Sequence, residues 1–373
     1  MSKRLFLVTT ETSGDLLGAR MLASLKSMVP DLEVSGVGGG QLIAQGMKTH
    51  FQVHDFNVMG LFEVLSQLKR LKAMFRELVT KVKETSPDLV VLIDAPDFNL
   101  RFAKAIRGLG IPIVYYVSPQ VWAWRKRRAR QIAELVDHIM VLFHFETGIY
   151  QKVGLDATWT GHPLVDEITD GIDRDTFFSQ HHFDPDRPLV ALAPGSRPSE
   201  IQRHLPVLLE IANARSNEYQ FALPLAPALD HAAIDGQIAH SPITLLPGKM
   251  RPLIRHSDAA IVASGTATLE TGLLQTPMVV GYRLKTLSYW LARMLVKVPH
   301  ISLVNIVLEK EVVPELIQGA FCAEKVLPLL DELIEDSPAR EAMLAEFARL
   351  EQVLGGPGAS ERAAQVVKDF LTE

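Results

Sequence analysis

From Asp258 to Tyr282 the chain reads DAAIVASGTATLETGLLQTPMVVGY, and this stretch leaves the fold little freedom. Ala259–Ala263 is a short apolar run of the kind that forms a fully buried parallel strand. Ser264-Gly265-Thr266 reads as a turn, and from Thr266 to Gln275 the leucines at 269, 273 and 274 share one helical face. Thr276-Pro277 ends that helix, and Met278–Tyr282 is the next strand. Such a βαβ unit demands a parallel sheet covered by helices. Its ligand edge lies where strand gives way to helix. The turn leaves unpaired N–H groups at a helix N-terminus, beside residues small enough to admit a phosphate. Glu270, about one turn on, suits the helix dipole and is also able to accept hydrogen bonds from sugar hydroxyls. The spacing fits either a nucleotide site or an ordinary strand–helix connection with a capping acid.

The same grammar runs through both halves. Leu5–Thr9, Glu33–Val37, Leu89–Ile93, Ile113–Val117 and Ile139–Phe143 read as strands of one sheet, and Leu189–Ala193, Phe221–Leu225 and Ile243–Leu246 as strands of another. The expected class is α/β, with two Rossmann-like domains facing a cleft. The boundaries read as 1–168, a polar linker 169–187, and 188–354. A terminal helix, 359–373, is expected to pack on the first domain or on a partner subunit. With 47% hydrophobic residues among 373, each half can bury a core. The single Cys322 excludes internal disulfides and cysteine-cluster metal sites. Leu5–Val8 is too short for a signal-peptide core, and no run approaches the ~20 apolar residues of a membrane span. A net charge of −5 gives no general affinity for nucleic acid.

Several positions carry chemistry. Leu89–Ile93 ends in Asp94-Ala95-Pro96-Asp97, so Asp94 stands at the carboxyl end of a central strand, where α/β enzymes place catalytic groups. Asp97 is expected to cap a helix from Phe98. Gly36-Val37-Gly38 begins like a dinucleotide fingerprint, but Gln41 replaces the third glycine, and close backbone packing is the simpler reading. Leu189–Ala193 leads into Pro194-Gly195-Ser196-Arg197, a turn able to cradle a diphosphate. Pro247-Gly248-Lys249-Met250 opens another helix at a strand end. Asp173-Arg174-Asp175 and Asp184-Pro185-Asp186 match a metal-binding D-x-D pattern, but neither follows a buried strand. His162, in Gly161-His162-Pro163, fits a core or turn role.

Three segments combine apolar and basic residues. In a helix expected over Leu61–Glu84, Phe62, Val64, Leu65 and Leu68 exceed one narrow stripe, with Lys69, Arg70 and Lys72 beside them. Such a helix is either sandwiched in a core or laid on a membrane surface. Trp122 and Trp124 precede Arg125–Arg130, and Arg283–Val298 holds four basic residues and no acid. A solvated face or an anionic lipid surface explains either run.

Taken together, ETSGD (Glu11–Asp15), IDAPDFN (Ile93–Asn99), YVSPQVWAWR (Tyr116–Arg125), GHP (Gly161–Pro163), PGSR (Pro194–Arg197), SGTATLE (Ser264–Glu270) and SLVNIV (Ser302–Val307) resemble the lipid-A-disaccharide synthase family, in order and over most of the chain. That resemblance implies an inverting glycosyltransferase of the GT-B architecture that uses neither metal nor cofactor. The family joins UDP-2,3-diacylglucosamine to 2,3-diacylglucosamine 1-phosphate through a β-1,6 bond and releases UDP. It implies Asp94 as general base, and Ser196, Arg197 and Thr266 as holders of the leaving diphosphate. Glu270 would bind ribose hydroxyls and Asn305 the phosphate region, with Met250, Ser264 and Gly265 completing the donor side. Ser13, Trp122, Trp124 and Arg125, with the apolar face at Phe62–Leu68, are the acceptor and membrane candidates. Association with the cytoplasmic face of an anionic inner membrane and a dimer that exchanges its C-terminal helix are also implied. Another UDP-sugar enzyme of this architecture, such as a 2-epimerase or the peptidoglycan glucosaminyltransferase, would share the Glu270 unit without needing the tryptophans.

Overall fold

Two parallel sheets organise the molecule, because its short apolar runs can be buried only with helices on both faces. The structure, a computed structural model, describes residues 2–56, 64–124, 126–168, 171–226, 229–285, 289, 293 and 298–372, with backbone alone for 64–68, 123, 124, 126 and 233. The chain divides into two compact units, Met1–Asp166 with Leu354–Glu373, and Glu167–Val353. One Rossmann-like unit follows another along the chain.

In the first unit the strands are β1 (Arg4–Val8), β2 (Glu33–Gly38), β3 (Lys48–Gln52), β4 (Leu89–Ile93), β5 (Ile113–Tyr116), β6 (His138–Val141) and β7 (Ala157–Trp159). They lie in the order β3-β2-β1-β4-β5-β6-β7, all parallel. The chain builds outward from β1 to β3, then returns to lay β4 on the other side of β1. That reversal opens a crevice at the carboxyl ends of β1 and β4. Alternation along the strands separates two cores. Leu5, Leu7, Val91 and Ile93 meet the helices Thr12–Met28 and Ala359–Thr372 on one face. Phe6, Val8, Val90 and Leu92 meet Leu78 and Val82 of the helix Val64–Thr85, and Phe102 of the helix Pro96–Ile106, on the other.

The second unit repeats the plan with β8 (Leu189–Ala193), β9 (Gln220–Leu225), β10 (Ile243–Pro247), β11 (Ala259–Val262), β12 (Met278–Tyr282) and β13 (Glu315–Ile317). Their order is β10-β9-β8-β11-β12-β13, so the reversal falls between β8 and β11. The polar stretch expected to link the halves contributes a helix, Arg174–His181, to this unit. It buries Phe177 and Phe178, and Arg174 pairs with Asp258 at 3.0 Å. The D-x-D acids serve local turns: Asp173 caps that helix by accepting from Thr176 N at 2.9 Å, and Asp184 accepts from Asp186 N at 3.0 Å.

Among the described residues no helix is long and apolar enough to cross a membrane. Of the apolar-basic helix, Phe62 lies outside the described residues, as do the side chains of Val64, Leu65 and Leu68. Its later turns bury Met74, Leu78 and Val82, and Arg70 pairs with Asp55 at 2.6 Å. Arg125, the side chain of Trp124 and most of 286–297 also lie outside the described residues.

Candidate active site

Both reversals carry the motifs that the sequence marks. In the first unit, Ser13 opens the helix after β1 and Asp94 follows β4, and the Ser13 hydroxyl donates to the Asp94 carboxylate. Asp94 and Ala95 are both left-handed, with φ of 50° and 45°. Two such residues in succession, neither of them glycine, cost on the order of 1–3 kcal/mol each and persist only where the surroundings enforce them. Here Asp94 N donates to Tyr116 O at 3.0 Å, while Asp94 O accepts from Asn99 Nδ2 at 2.8 Å and from the Tyr115 hydroxyl at 2.6 Å. Burial pushes the Asp94 carboxyl above its usual range, against the pull of hydrogen bonds from the Ala95 N–H and the Ser13 hydroxyl. Glu11, exposed as a residue, also has a raised carboxyl, first through local desolvation and second through the charge of Asp94. The arrangement is a rigid carboxylate whose proton affinity is tuned upward.

Asp97 does not cap the following helix. Pro96 begins it and Ala95 is its N-cap, so Asp97 points outward, 86% exposed, and pairs with Arg128 at 2.8 Å. The glycine run after β2 binds no outside anion either, because its N–H groups are taken from within. Asp15 accepts from Gly39 N at 2.6 Å, Gln41 N at 3.0 Å and Leu42 N at 3.2 Å. Gly36 is there for close packing: a Cβ would lie 1.9 Å from Leu7 O.

In the second unit the Pro194–Arg197 turn departs from expectation in the same way. Glu200 reaches back so that Oε2 accepts from Ser196 N and Arg197 N, both at 3.1 Å, while Tyr282 donates to Oε1 at 3.0 Å. The amides expected to cradle a diphosphate are therefore occupied by the chain's own carboxylate. The Arg197 side chain remains available, 77% exposed and 3.7 Å from Glu200. His204 braces the turn by bonding Pro194 O through Nδ1 at 2.7 Å and accepting from Arg283 N through Nε2 at 2.9 Å. The turn after β11 differs. Ser264 Oγ donates to Ile301 O at 2.6 Å, and Gly265, at a positive φ of 156° that favours glycine, leads into a helix whose Thr266 and Ala267 N–H groups have no partner among the described residues. Unpaired N–H groups at a helix N-terminus are the geometry that suits an anion. Glu270, four residues on, shares Arg251 with Glu167. Met250 precedes that arginine at the start of the helix Met250–His256 and is half-buried.

Asn305 is a correction. It is fully buried and its amide is spent: Nδ2 donates to Val313 O and Glu315 Oε1, both at 2.9 Å, and Oδ1 accepts from Val312 N at 2.8 Å and Val313 N at 2.9 Å. Glu315 in turn accepts from Ile301 N and Ser302 N. Asn305 thus braces the segment on which Ser264 rests and offers nothing to a phosphate. Glu200, Arg251 and Tyr282 were not singled out from sequence. For Glu200 a signal existed: an acid at the third helical position of a Pro-initiated helix is a capping-box spacing. Arg251 had none, since nothing local ties it to Glu270.

The lipid-A-disaccharide synthetase family model matches residues 5–370. The lipid-A-disaccharide synthase of Myxococcus xanthus is 39% identical over 373 residues, covering 99% of this chain and 97% of that one. The chain belongs to this family. It is accordingly a glycosyltransferase of lipid A biosynthesis, acting on a UDP-sugar and a sugar phosphate. Fold likeness is wider than family. A UDP-GlcNAc 2-epimerase from Neisseria meningitidis bound to UDP-GlcNAc superposes with TM-score 0.64 at 14% identity, over 100% of both chains. A transferase from Siraitia grosvenorii in complex with UDP gives 0.60 at 11%, also over 100% of both.

The segment after β5 turns inward, with Ser118 and Val121 buried. Trp122 packs edge-on against Phe145 at 5.5 Å, and its indole nitrogen is buried there without a hydrogen-bond partner among the described residues. Glu146 is 2% exposed and its pKa is pushed up to about 7 by burial, although Phe143 N donates to it at 3.2 Å. The Ser118 and Tyr150 hydroxyls meet at 2.7 Å. Trp122 is thus anchored inward rather than free on the surface. His162 is a turn residue: its Nδ1 accepts from Leu164 N at 3.1 Å and its ring lies against Phe143 at 5.5 Å.

Proposed function

We propose that the chain transfers 2,3-diacylglucosamine from its UDP conjugate to the 6-hydroxyl of 2,3-diacylglucosamine 1-phosphate, with inversion, giving a β-1,6 disaccharide 1-phosphate and UDP. The observation that carries this is Asp94, a buried carboxylate held in a strained turn at the crevice between β1 and β4, with Ser13 on it. A carboxylate raised by burial is a better base than an ordinary one. Asp94 takes the hydroxyl proton as the acceptor oxygen attacks the anomeric carbon. The bond from that carbon to the β-phosphate oxygen breaks, and its electron pair leaves with UDP. The leaving charge goes to the Arg197 guanidinium and to the Thr266 and Ala267 N–H groups, so no metal is required. Glu270 takes the ribose hydroxyls, with Ser264 and Gly265 shaping the turn and Met250 beside them in the donor region.

The finer partners belong to the same proposal. The acyl chains require access to a bilayer surface. The Phe62–Leu68 face, reinforced by Lys69, Arg70 and Lys72, is proposed to dock on anionic lipid at the inner face of the inner membrane. A dimer exchanging the helix Ala359–Thr372 would reuse the packing that this helix makes on its own chain. Incubating the purified protein with both acylated sugars and reading the products by mass spectrometry tests the reaction. Equimolar UDP and disaccharide 1-phosphate is the expected result. Conversion of UDP-GlcNAc to its 2-epimer without an acceptor would overturn it.

A further inference from the structure

We propose that Arg251 is a positioning residue that sets Glu270 for the ribose, and so determines selection of a ribonucleotide over a deoxyribonucleotide donor. The inference rests on the reading of Glu270 as the ribose partner. Arg251 splits its donors between two acids. Nε gives one bond to Glu270 Oε2 at 3.0 Å, whereas Nη2 and Nη1 hold Glu167, at Oε2 (2.6 Å) and at its backbone carbonyl (3.2 Å). A guanidinium fork ordinarily grips one carboxylate with two parallel bonds. Here the double grip falls on Glu167 and fixes the arginine, and Glu270 receives a single bond. Glu270 Oε1 therefore has no partner among the described residues.

The geometry has a chemical consequence. An ionised carboxylate has about four acceptor positions, and one bond from Arg251 uses one of them. The rest suit the two adjacent hydroxyls of a ribose, both of which donate. Without Arg251, Glu270 would lose the bond that orients its carboxylate, Arg251 Nε to Oε2. Glu167 is then the anchor of the arginine: it lies in the short helix Leu164–Glu167, and its pairing is what commits the fork away from Glu270. Phosphate recognition lies elsewhere, at Thr266, Ala267 and Arg197, so the two parts of the donor are separable by experiment.

The test is titration calorimetry with UDP, 2′-deoxy-UDP and inorganic pyrophosphate, on wild type, Glu270→Gln, Arg251→Gln, Glu167→Gln and the Arg251→Gln/Glu270→Gln double variant. Wild type is expected to prefer UDP over 2′-deoxy-UDP by about ten- to hundredfold, the worth of one charge-assisted hydrogen bond. Arg251→Gln and Glu270→Gln should each erase most of that preference, and the double variant should lose no more than Glu270→Gln alone. Pyrophosphate affinity should stay within about twofold throughout. Glu167→Gln, which leaves the Arg251–Glu270 pair in place, should cut the preference partially and guards against a misfolded Arg251→Gln. If Glu270→Gln loses the preference while Arg251→Gln and Glu167→Gln keep it, the inference is overturned and the ribose reading stands. If Glu270→Gln keeps it, both fall.

Discussion

At the scale of single residues, carboxylates set the character of this protein, and each does different work according to its surroundings. Asp15 and Glu200 are internal acceptors, each filling a nest of backbone N–H groups that a ligand phosphate would otherwise find. Asp97 is a surface ion-pair partner. Asp97→Asn should therefore change stability by less than about 1 kcal/mol and turnover by only a few-fold, as exposed pairs are worth little; a loss comparable to that of Asp94 would show that Asp97 takes part in the chemistry. Glu146 offers a pH test. The folded protein holds its proton more tightly than the unfolded chain, with a pKa of about 7 against 4.5. Its burial thus costs stability increasingly as pH rises from about 4.5 towards 7, and the cost is complete above that. A shift of this size is worth roughly 3 kcal/mol. The stability difference between Glu146→Gln and wild type should move in favour of the variant by up to that amount between pH 5 and pH 8. A difference independent of pH would mean that the carboxyl titrates normally. Taking the difference cancels the buried histidines, whose lowered values act in the opposite sense.

At the scale of elements, the βαβ units were legible because their strands are unbroken apolar runs closed by glycine or proline, as in Ala259–Val262 and Leu189–Ala193. The edge strands β3 and β13 were not. Their sequences, KTHFQ and ELI, are short and only half-buried, so they carry no run to read. The start of the helix after β4 was misjudged for a local reason. Proline at the first helical position displaced the expected aspartate cap, and the chain met the cost with a strained Ala95 instead. The family resemblance, through SLVNIV, implies Asn305 as a phosphate contact; what its side chain serves is the segment Ile301–Glu315. Asn305→Ala should lose at least about 1–3 kcal/mol by orphaning buried backbone groups, while UDP affinity measured well below the melting temperature stays within a few-fold. Intact stability with weakened UDP binding would restore it as a ligand. For the helix Val64–Thr85, replacing Phe62, Val64, Leu65 and Leu68 by serine should leave the melting temperature unchanged and reduce flotation with anionic vesicles. A collapsed melting temperature would mean that those residues are core, where each loss costs about 2–5 kcal/mol.

At the scale of the whole molecule, what sequence could not give was strand order, and strand order is what explains the motifs. ETSGD and IDAPDFN lie far apart in the chain, yet β1 and β4 are neighbours, so Ser13 meets Asp94. PGSR and SGTATLE likewise follow β8 and β11, which pair directly. Each sheet thus reverses once, and the motifs follow the strands at the reversal: the proposed base follows β4 and the proposed donor residues follow β8 and β11. Family membership identifies the activity; which atoms perform it is the proposal made above. The most direct test is turnover and UDP affinity of Asp94→Asn, measured on the same preparation. Asparagine preserves the turn but cannot take a proton. Turnover should fall by about two to four decades, the usual worth of a general base, with UDP affinity unchanged within about twofold and the wild-type acid limb lying above the usual carboxylate range. Near-normal turnover by Asp94→Asn would contradict the account.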